Sequence, residues 1–315
     1  MAGRPRSGRA YAWRTSKGRS RMLEVDGRFF VLLMSNGILI GLMYSLIALG
    51  FVLVYKATDA INFAQGEFVM IAGFVVAVCL VAYGAPLWLA VSAGLLGMVG
   101  FGFGLERVML RRLIGRPIIA VVMATIGLAA ILRGVGPLTW GAETKPLALP
   151  ISDEPFIVGP LFIPPIQLLG ASVSLVFLGV FGWFFLKSRK GIAMRAVADS
   201  QQVAMAMGIN VERYFALAWA MTGVVSALGG VIWGSMLGVD VHLSLVGFKV
   251  FPVVILGGLD SIPGAILGGL IVGVVENVAA GYVDPYVGGG TKDFAPYVLM
   301  ILALMIRPYG IFGKK

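Results

Sequence analysis

Five long stretches of this chain contain no Asp, Glu, Lys or Arg: Phe29 to Tyr55, Phe68 to Leu105, Pro117 to Leu132, Pro155 to Leu186 and Tyr214 to Val239. A helix needs about 20 apolar residues to cross the hydrocarbon core of a bilayer. Each stretch supplies most of one crossing, and Phe68 to Leu105 is long enough for two. Only 13% of the 315 residues are charged, against about 25% in a soluble domain. Too little polar surface is left to face water, so the chain reads as an all-α, polytopic transmembrane bundle.

The apolar segments run over 29–55, 66–83, 87–106, 117–137, 166–186, 214–237, 245–281 as a broken pair, and 294–307. Between Gly141 and Pro165 lie Pro146, Pro150, Pro155, Pro160 and Pro164, which exclude one continuous helix. Short extended pieces over a membrane face are expected there. Basic residues in short loops set orientation. Three clusters, Arg107/Arg111/Arg112/Arg116, Lys187/Arg189/Lys190/Arg195 and Arg307/Lys314/Lys315, are therefore expected in the cytoplasm. The Pro-rich loop, with Lys145 against Glu143, Asp153 and Glu154, is expected outside.

Residues 1–28 carry eight basic residues against Glu24 and Asp26, contributing +6 of the chain's net +10. They are expected as a disordered tail or an anchor to anionic lipid rather than a nucleic-acid arm. Residues 29–315 then form the membrane domain. Met1 to Arg28 has no apolar core, so it is not a cleavable signal peptide, and Met22 offers an alternative start. Three segments precede Arg107, which places this tail outside, whereas its charge argues for inside. The stretch Lys56 to Glu67 is the candidate for an incomplete crossing that would reconcile the two.

Cys79 and His242 are each single in the chain, which excludes an internal disulfide and nearly excludes a metal site built on His and Cys. His242 reads as a loop histidine at an outer end. No Ser-His-Asp spacing and no paired carboxylates suggest catalysis, so a membrane enzyme has little support and no metal or cofactor is expected. No G-x-x-x-x-G-K-[ST] loop is present, so energy for uphill transport must come from a partner or an ion gradient.

Ionisable residues inside membrane segments are functional candidates. Glu67 opens an apolar run, with Asn62, Gln65 and Gly66 just before it. Gly257, Gly258, Asp260 and Gly264 form a second Gly-rich break, and Glu276 lies beside Asn277 beyond it. These residues are the candidate translocation path. The plainer reading has Glu67 at a helix N-terminus, where the dipole favours an acid, and Glu276 and Asn277 bonding to neighbouring helices. The run Val52 to Asn62 also echoes Val253 to Pro263, each an apolar helix end followed by Asp-x-Ile. Paired interrupted segments point to a transport site.

The segment Lys187 to Arg213 lies between two apolar runs. Asp199 or Ser200 can cap a short helix over Gln201 to Met207, and Gly208 can end it in the left-handed conformation. Val203, Ala204, Met205, Ala206 and Met207 make that helix unusually apolar for a cytoplasmic loop. It fits a groove on another protein, or alternatively the lipid surface.

Here a family resemblance becomes specific. Gly191-x-x-x-Arg195-Ala196, then Ala204-x-x-x-Gly208-Ile209-Asn210 and Arg213, resembles the cytoplasmic loop of the Liv-type (LivH-like) permeases of branched-chain amino acid ABC importers. Ile61 to Glu67, Leu256 to Ala265 and Arg307 to Gly313 are similar too, so the resemblance spans nearly everything beyond the tail. Gln65 departs from the family, which often has His there. The resemblance implies a permease in the bacterial inner membrane that binds no cofactor itself. It implies two ATPase subunits that use ATP, a second homologous permease forming a heterodimer, and a periplasmic amino-acid-binding protein. It also implies a coupling helix whose contacts involve Gly191, Arg195, Ala196, Asp199, Val203, Ala204, Met205, Met207, Gly208, Ile209 and Asn210. An ion-coupled secondary transporter or channel is the alternative, and amides, urea or aromatic acids are alternative cargo.

Overall fold

The computed structural model describes residues 8–113, 116–152, 154–159 and 161–313, with backbone alone for 8–26 and Val158. Residues 1–7 of the basic tail, Asp153, Lys314 and Lys315 lie outside the described residues. The helices are α1 (Gly8–Thr58), α2 (Gln65–Val81), α3 (Leu87–Val108), α4 (Ile118–Trp140), α5 (Pro165–Lys187), α6 (Arg189–Asp199), α7 (Gln201–Ala206), α8 (Val211–Leu237), α9 (Leu245–Gly257), α10 (Ile262–Val287) and α11 (Thr291–Ile306). The Pro-rich loop forms a small antiparallel hairpin, β1 (Phe156–Val158) with β2 (Leu161–Ile163). The architecture is the all-α membrane bundle expected, and among the described residues six helices are long and apolar enough to cross a bilayer.

The helices are sorted by burial. In the most apolar windows of α1 and α8, 83% and 72% of residues are buried, against 22%, 28% and 33% on α3, α4 and α5. The first two form the core, and the other three turn Leu96, Ile131, Val176 and similar side chains outward. With lipid as solvent, packing decides association, and small residues let backbones approach. The α1–α10 seam follows that rule. A Cβ on Gly37 would meet the backbone of Val274 at 2.6 Å, and one on Gly41 would meet Gly269 O at 2.6 Å. Ser45 Oγ reaches across to Ile266 O at 3.1 Å. The glycine run on α3 is only partly used: Gly102 packs on Trp219 of α8, while Gly97, Gly100 and Gly104 meet nothing.

The first two basic clusters and the chain after Arg307 share one face. Arg111 pairs with Glu212 at the start of α8 at 3.1 Å. Arg116, Asp59 and Gln201 line one cavity, and Asp59, Asp199 and Tyr309 line another. That face is cytoplasmic by the charge rule. The end of α1 lies on it, since Gln201 Nε2 donates to Ala57 O at 3.3 Å. The Gly27 end of the α1 span is therefore at the outer face. The first segment is not an incomplete crossing: α1 runs unbroken from Gly27 to Thr58, long and apolar enough to span. The chain breaks at 59–64 as expected. Yet α2 then starts inside the bundle, where Gln65 bonds to Ser226 midway along α8.

Two local features depart from the sequence reading. Residues 189–199 form a helix of their own, capped by Ser188 Oγ accepting from Gly191 N at 2.9 Å. Asn277 bonds within its own helix, Nδ2 donating to Gly273 O at 2.9 Å, rather than to a neighbour. Glu276 does face a neighbouring helix, with its carboxyl beside Tyr44 of α1.

Candidate translocation site and coupling loop

The first break is held by side chains. Asn62 Oδ1 accepts from Ala64 N at 3.1 Å, and its amide donates to Gln65 Oε1 at 3.4 Å. Gln65 Nε2 donates to Ser226 Oγ at 3.0 Å. Thr125 of α4 takes Phe63 N at 3.3 Å and donates to Val122 O at 2.8 Å. Asn62 and Gln65 are fully buried, so the free backbone groups of a broken helix find polar side chains in place of water. Gly50 leaves room for this, since a Cβ there would lie 2.5 Å from Gln65 Nε2.

Gly66 sits where the half-helices α2 and α9 cross. A Cβ on Gly247 would lie 2.5 Å from Gly66 Cα, and one on Gly66 would strike Ser244 O. The sequence reading singled out Gly66 and missed Gly247, whose only signal is a small residue near the start of an apolar run. Glu67, one residue further on, is 1% exposed and forms an ion pair with Arg133 of α4. Arg133 was also missed, although it is the one charged residue in α4. Its guanidinium lies over the Phe248 ring, 6.0 Å from the centroid. Beside it, Lys249 pairs with Asp293 at 2.8 Å. Glu276, also buried, contacts Tyr44, whose ring stacks on Trp233 at 5.0 Å.

The second break is held by backbone. A Cβ on Gly257 or Gly264 would strike the carbonyl of the other. Gly258 (φ 104°) and Gly310 (φ 79°) adopt conformations that favour glycine. The C-terminal run from Arg307 to Gly313 turns back under α9. Ile311 N donates to Leu256 O at 2.8 Å, and Phe312 N donates to Gly257 O at 3.1 Å. These bonds cap carbonyls that the end of α9 leaves orphaned. Two of the motif blocks, Leu256–Ala265 and Arg307–Gly313, are thus halves of one structure. Asp260 lies at its edge and lines a cytoplasmic cavity of about 330 Å³ with Tyr55, Asp59 and Asp199. The candidate path residues therefore do not form one pocket. Asn62, Gln65, Gly66 and Glu67 cluster inside the bundle, Glu276 lies beside α1, and Gly257, Gly258, Asp260 and Gly264 belong to the cytoplasmic turn.

The candidate coupling loop, Lys187 to Arg213, follows its sequence closely. Ser200, not Asp199, caps α7, with Val203 N donating to its hydroxyl at 3.3 Å. At the other end Gly208 has φ 79°. Gly208 N bonds to Met205 O at 3.0 Å and Ile209 N to Ala204 O at 2.9 Å, the paired bonds of a Schellman motif. Asn210 Oδ1 then caps α8 by accepting from Arg213 N at 3.1 Å. Ala204 is buried, while Val203, Met205 and Met207 are 62%, 57% and 77% exposed. Gly191 packs against the Phe184 and Phe185 carbonyls. Arg195 caps the α5 end by donating to Leu186 O at 3.2 Å. Ala196 accepts from Ser200 N at 3.1 Å, closing α6.

At the outer face Lys145 and Val239 exchange backbone bonds of 2.9 Å. Beside them Asp240 accepts from Thr144 Oγ1 and from His242 N, both at 2.8 Å. Partial burial would raise the Asp240 pKa, but these donors and the His242 ring outweigh it and hold the carboxyl below its ordinary range. The His242 side chain is itself 78% exposed.

Interrupted helices, polar residues buried at membrane depth and an apolar helix on the cytoplasmic loop define a multi-pass membrane transport protein. The family model "Branched-chain amino acid transport system / permease component" matches residues 33–306. The chain belongs to that family. It is 34% identical over 302 residues to the high-affinity branched-chain amino acid transport system permease protein LivH of Salmonella typhimurium, covering 91% of this chain and 96% of that one. It is 34% identical over 296 residues to the corresponding permease protein BraD of Pseudomonas aeruginosa, covering 89% and 94%. Among solved structures, PsaBC from Streptococcus pneumoniae in complex with Fab aligns at TM-score 0.46 and 14% identity over 89% of this chain and 94% of that one, too distant to add to the assignment.

Proposed function

We propose that this chain is the membrane-spanning subunit of an ABC importer for branched-chain amino acids in the bacterial inner membrane. On this reading a periplasmic binding protein delivers the amino acid and a second homologous permease completes the path. Two ATPase subunits dock on the cytoplasmic loop and use the ATP. The observation that carries the reading is the exposed ridge of Val203 and the C-cap Met207, one helical turn apart, with Met205 exposed on the other side of α7, on the cytoplasmic face of a family member. A solvated loop gains nothing from three exposed apolar side chains on so short a helix, whereas a partner's groove does. Gln201, at the first position of the same helix, grips the last turn of α1. A push on α7 is then felt where α1 gives way to the first break. An ion-coupled secondary transporter would leave this ridge without a partner.

The test is reconstitution. The chain with the second permease, both ATPases and the binding protein should concentrate leucine only when ATP is supplied. Met207→Glu should leave a folded permease that no longer retains the ATPases on a column. Uphill uptake by the chain alone, driven by an ion gradient, would overturn the reading.

A further inference from the structure

Arg133 is the one charged residue of α4, seven residues before Trp140 at the outer end of that helix. At 1.5 Å per residue it lies about 10 Å below that end, within the hydrocarbon depth. Its side chain is nevertheless 43% exposed, whereas its partner Glu67 is 1% exposed. A guanidinium carries five N–H donors. Nη2 engages Glu67 Oε1, and one face of the group rests on Phe248. No other acceptor among the described residues meets it. The neighbouring cation differs, because Lys249 is already neutralised by Asp293. Lipid supplies no acceptor for the remaining Arg133 donors, and ionisable groups at this depth face a bundle interior or a water-filled cavity.

We propose that Arg133 receives the carboxylate of the transported amino acid, on a surface of α4, α9 and α11 that a second permease subunit covers, leaving a wetted path between the two. The proposal rests on the importer reading above. A carboxylate takes the outward donors in the paired geometry that Arg favours, while Glu67 keeps its hold from behind. The standing Glu67 contact partly neutralises the cation, so the substrate is held weakly and can leave, as a conduit requires. Phe248 (39% exposed) and Leu245 (47% exposed), one turn apart on α9, supply the apolar wall beside it.

The test uses the whole complex in nanodiscs, with Cys79→Ser in this chain and Leu245→Cys as the reporter. Modification of the introduced thiol is followed by mass with an anionic sulfonatoethyl and a cationic trimethylammonioethyl methanethiosulfonate. Both reagents are expected to react, and leucine-loaded binding protein is expected to slow the anionic one. The anionic-to-cationic rate ratio should fall about tenfold in Arg133→Gln and hold in Arg133→Lys. The KM for leucine uptake should rise about tenfold in Arg133→Gln. A purely structural Arg133–Glu67 lock would leave the thiol unprotected by leucine-loaded binding protein and the KM unchanged in Arg133→Gln, and that result overturns the proposal. So does an introduced thiol that neither reagent reaches. If Arg133→Gln does not assemble, protection by leucine and the Arg133→Lys ratio decide the question. ATP-dependent uptake together with an unreactive thiol sinks this inference alone, whereas loss of ATP dependence in the Arg133 protein sinks the importer reading.

Discussion

The two interrupted helix pairs begin from similar sequence and are stabilised in opposite ways. The α1–α2 break (59–64) is knitted by side chains from α4 and α8, through Thr125 and Ser226. The α9–α10 break (258–261) is a backbone clamp, glycine against glycine, sealed by the C-terminal run that caps α9. Side-chain hydrogen bonds can exchange partners at a net cost of about 1 kcal/mol each. Backbone in van der Waals contact cannot move without opening the packing around it. The first break is therefore suited to rearrange during a transport cycle, and the second to stay fixed while it does. Their surroundings agree: the first sits between the Arg133 layer and the coupling loop, and the second rests on the chain's own tail.

The sharpest way to break this comparison is to add bulk at the rigid turn. Gly264→Val places a branched side chain into the Gly257 carbonyl, and neither backbone can retreat. Overpacking of this kind costs about 3 kcal/mol. The variant is expected to be nearly absent from the membrane fraction after expression, as judged by size-exclusion chromatography of the extracted protein. Recovery at wild-type yield would show that the turn is not a clamp. Next in size is truncation after Pro308, which strips the Ile311 and Phe312 bonds from the end of α9. Melting temperature should fall clearly, and Asp260 should gain access to solvent reagents.

Much of this was legible beforehand, for identifiable reasons. Membrane spans are written as charge-free length, so the bundle, both breaks and the gathering of basic loops on one face follow from the sequence. The α7 helix was legible because its ends use local chemistry, Ser200 as a cap and Gly208 as a left-handed stop. The α6 helix escaped because Lys187 to Lys190 reads as a solvated charge run, and its Ser188 cap is a single residue. Arg133 escaped because its partner is 66 positions away in sequence, and no local pattern records a pairing between helices. The seam of Gly37 and Gly41 with Gly269 and Gly273 has the same origin. Spacing marks glycines as available for close packing, but not which helix they meet.

A smaller effect is expected at the adaptable break, and here function should change more than stability. Gln65→Leu removes the bonds to Ser226 and Asn62. Ser226 keeps its own bond to Thr222 O at 2.8 Å, so no buried donor is orphaned there. The fully buried Asn62 amide does lose its acceptor, so the loss should be about 2 kcal/mol, still less than the overpacked turn. Uptake by the reconstituted importer should nevertheless fall several-fold, because the network that reseats after each cycle has lost its centre. If instead stability collapsed while the surviving protein transported normally, the first break would be a clamp like the second.

The smallest and most diagnostic change is Gln65→His. Neutral imidazole can keep one of the two bonds that Gln65 makes, so the variant should fold with little loss. Gln65 itself does not titrate, and the wild-type importer should therefore show no pH dependence arising at this position. A histidine titrates between pH 5 and 8. If the break opens to water during the cycle, uptake by the variant should acquire a pH dependence in that range which the wild type lacks. Protonation at low pH would place a cation against Ser226 and Asn62, neither of which balances its charge, so uptake should be lower on the acid side. Identical pH profiles for the two proteins would mean that this site stays dry and fixed throughout, and the contrast between the two breaks would then be one of construction only.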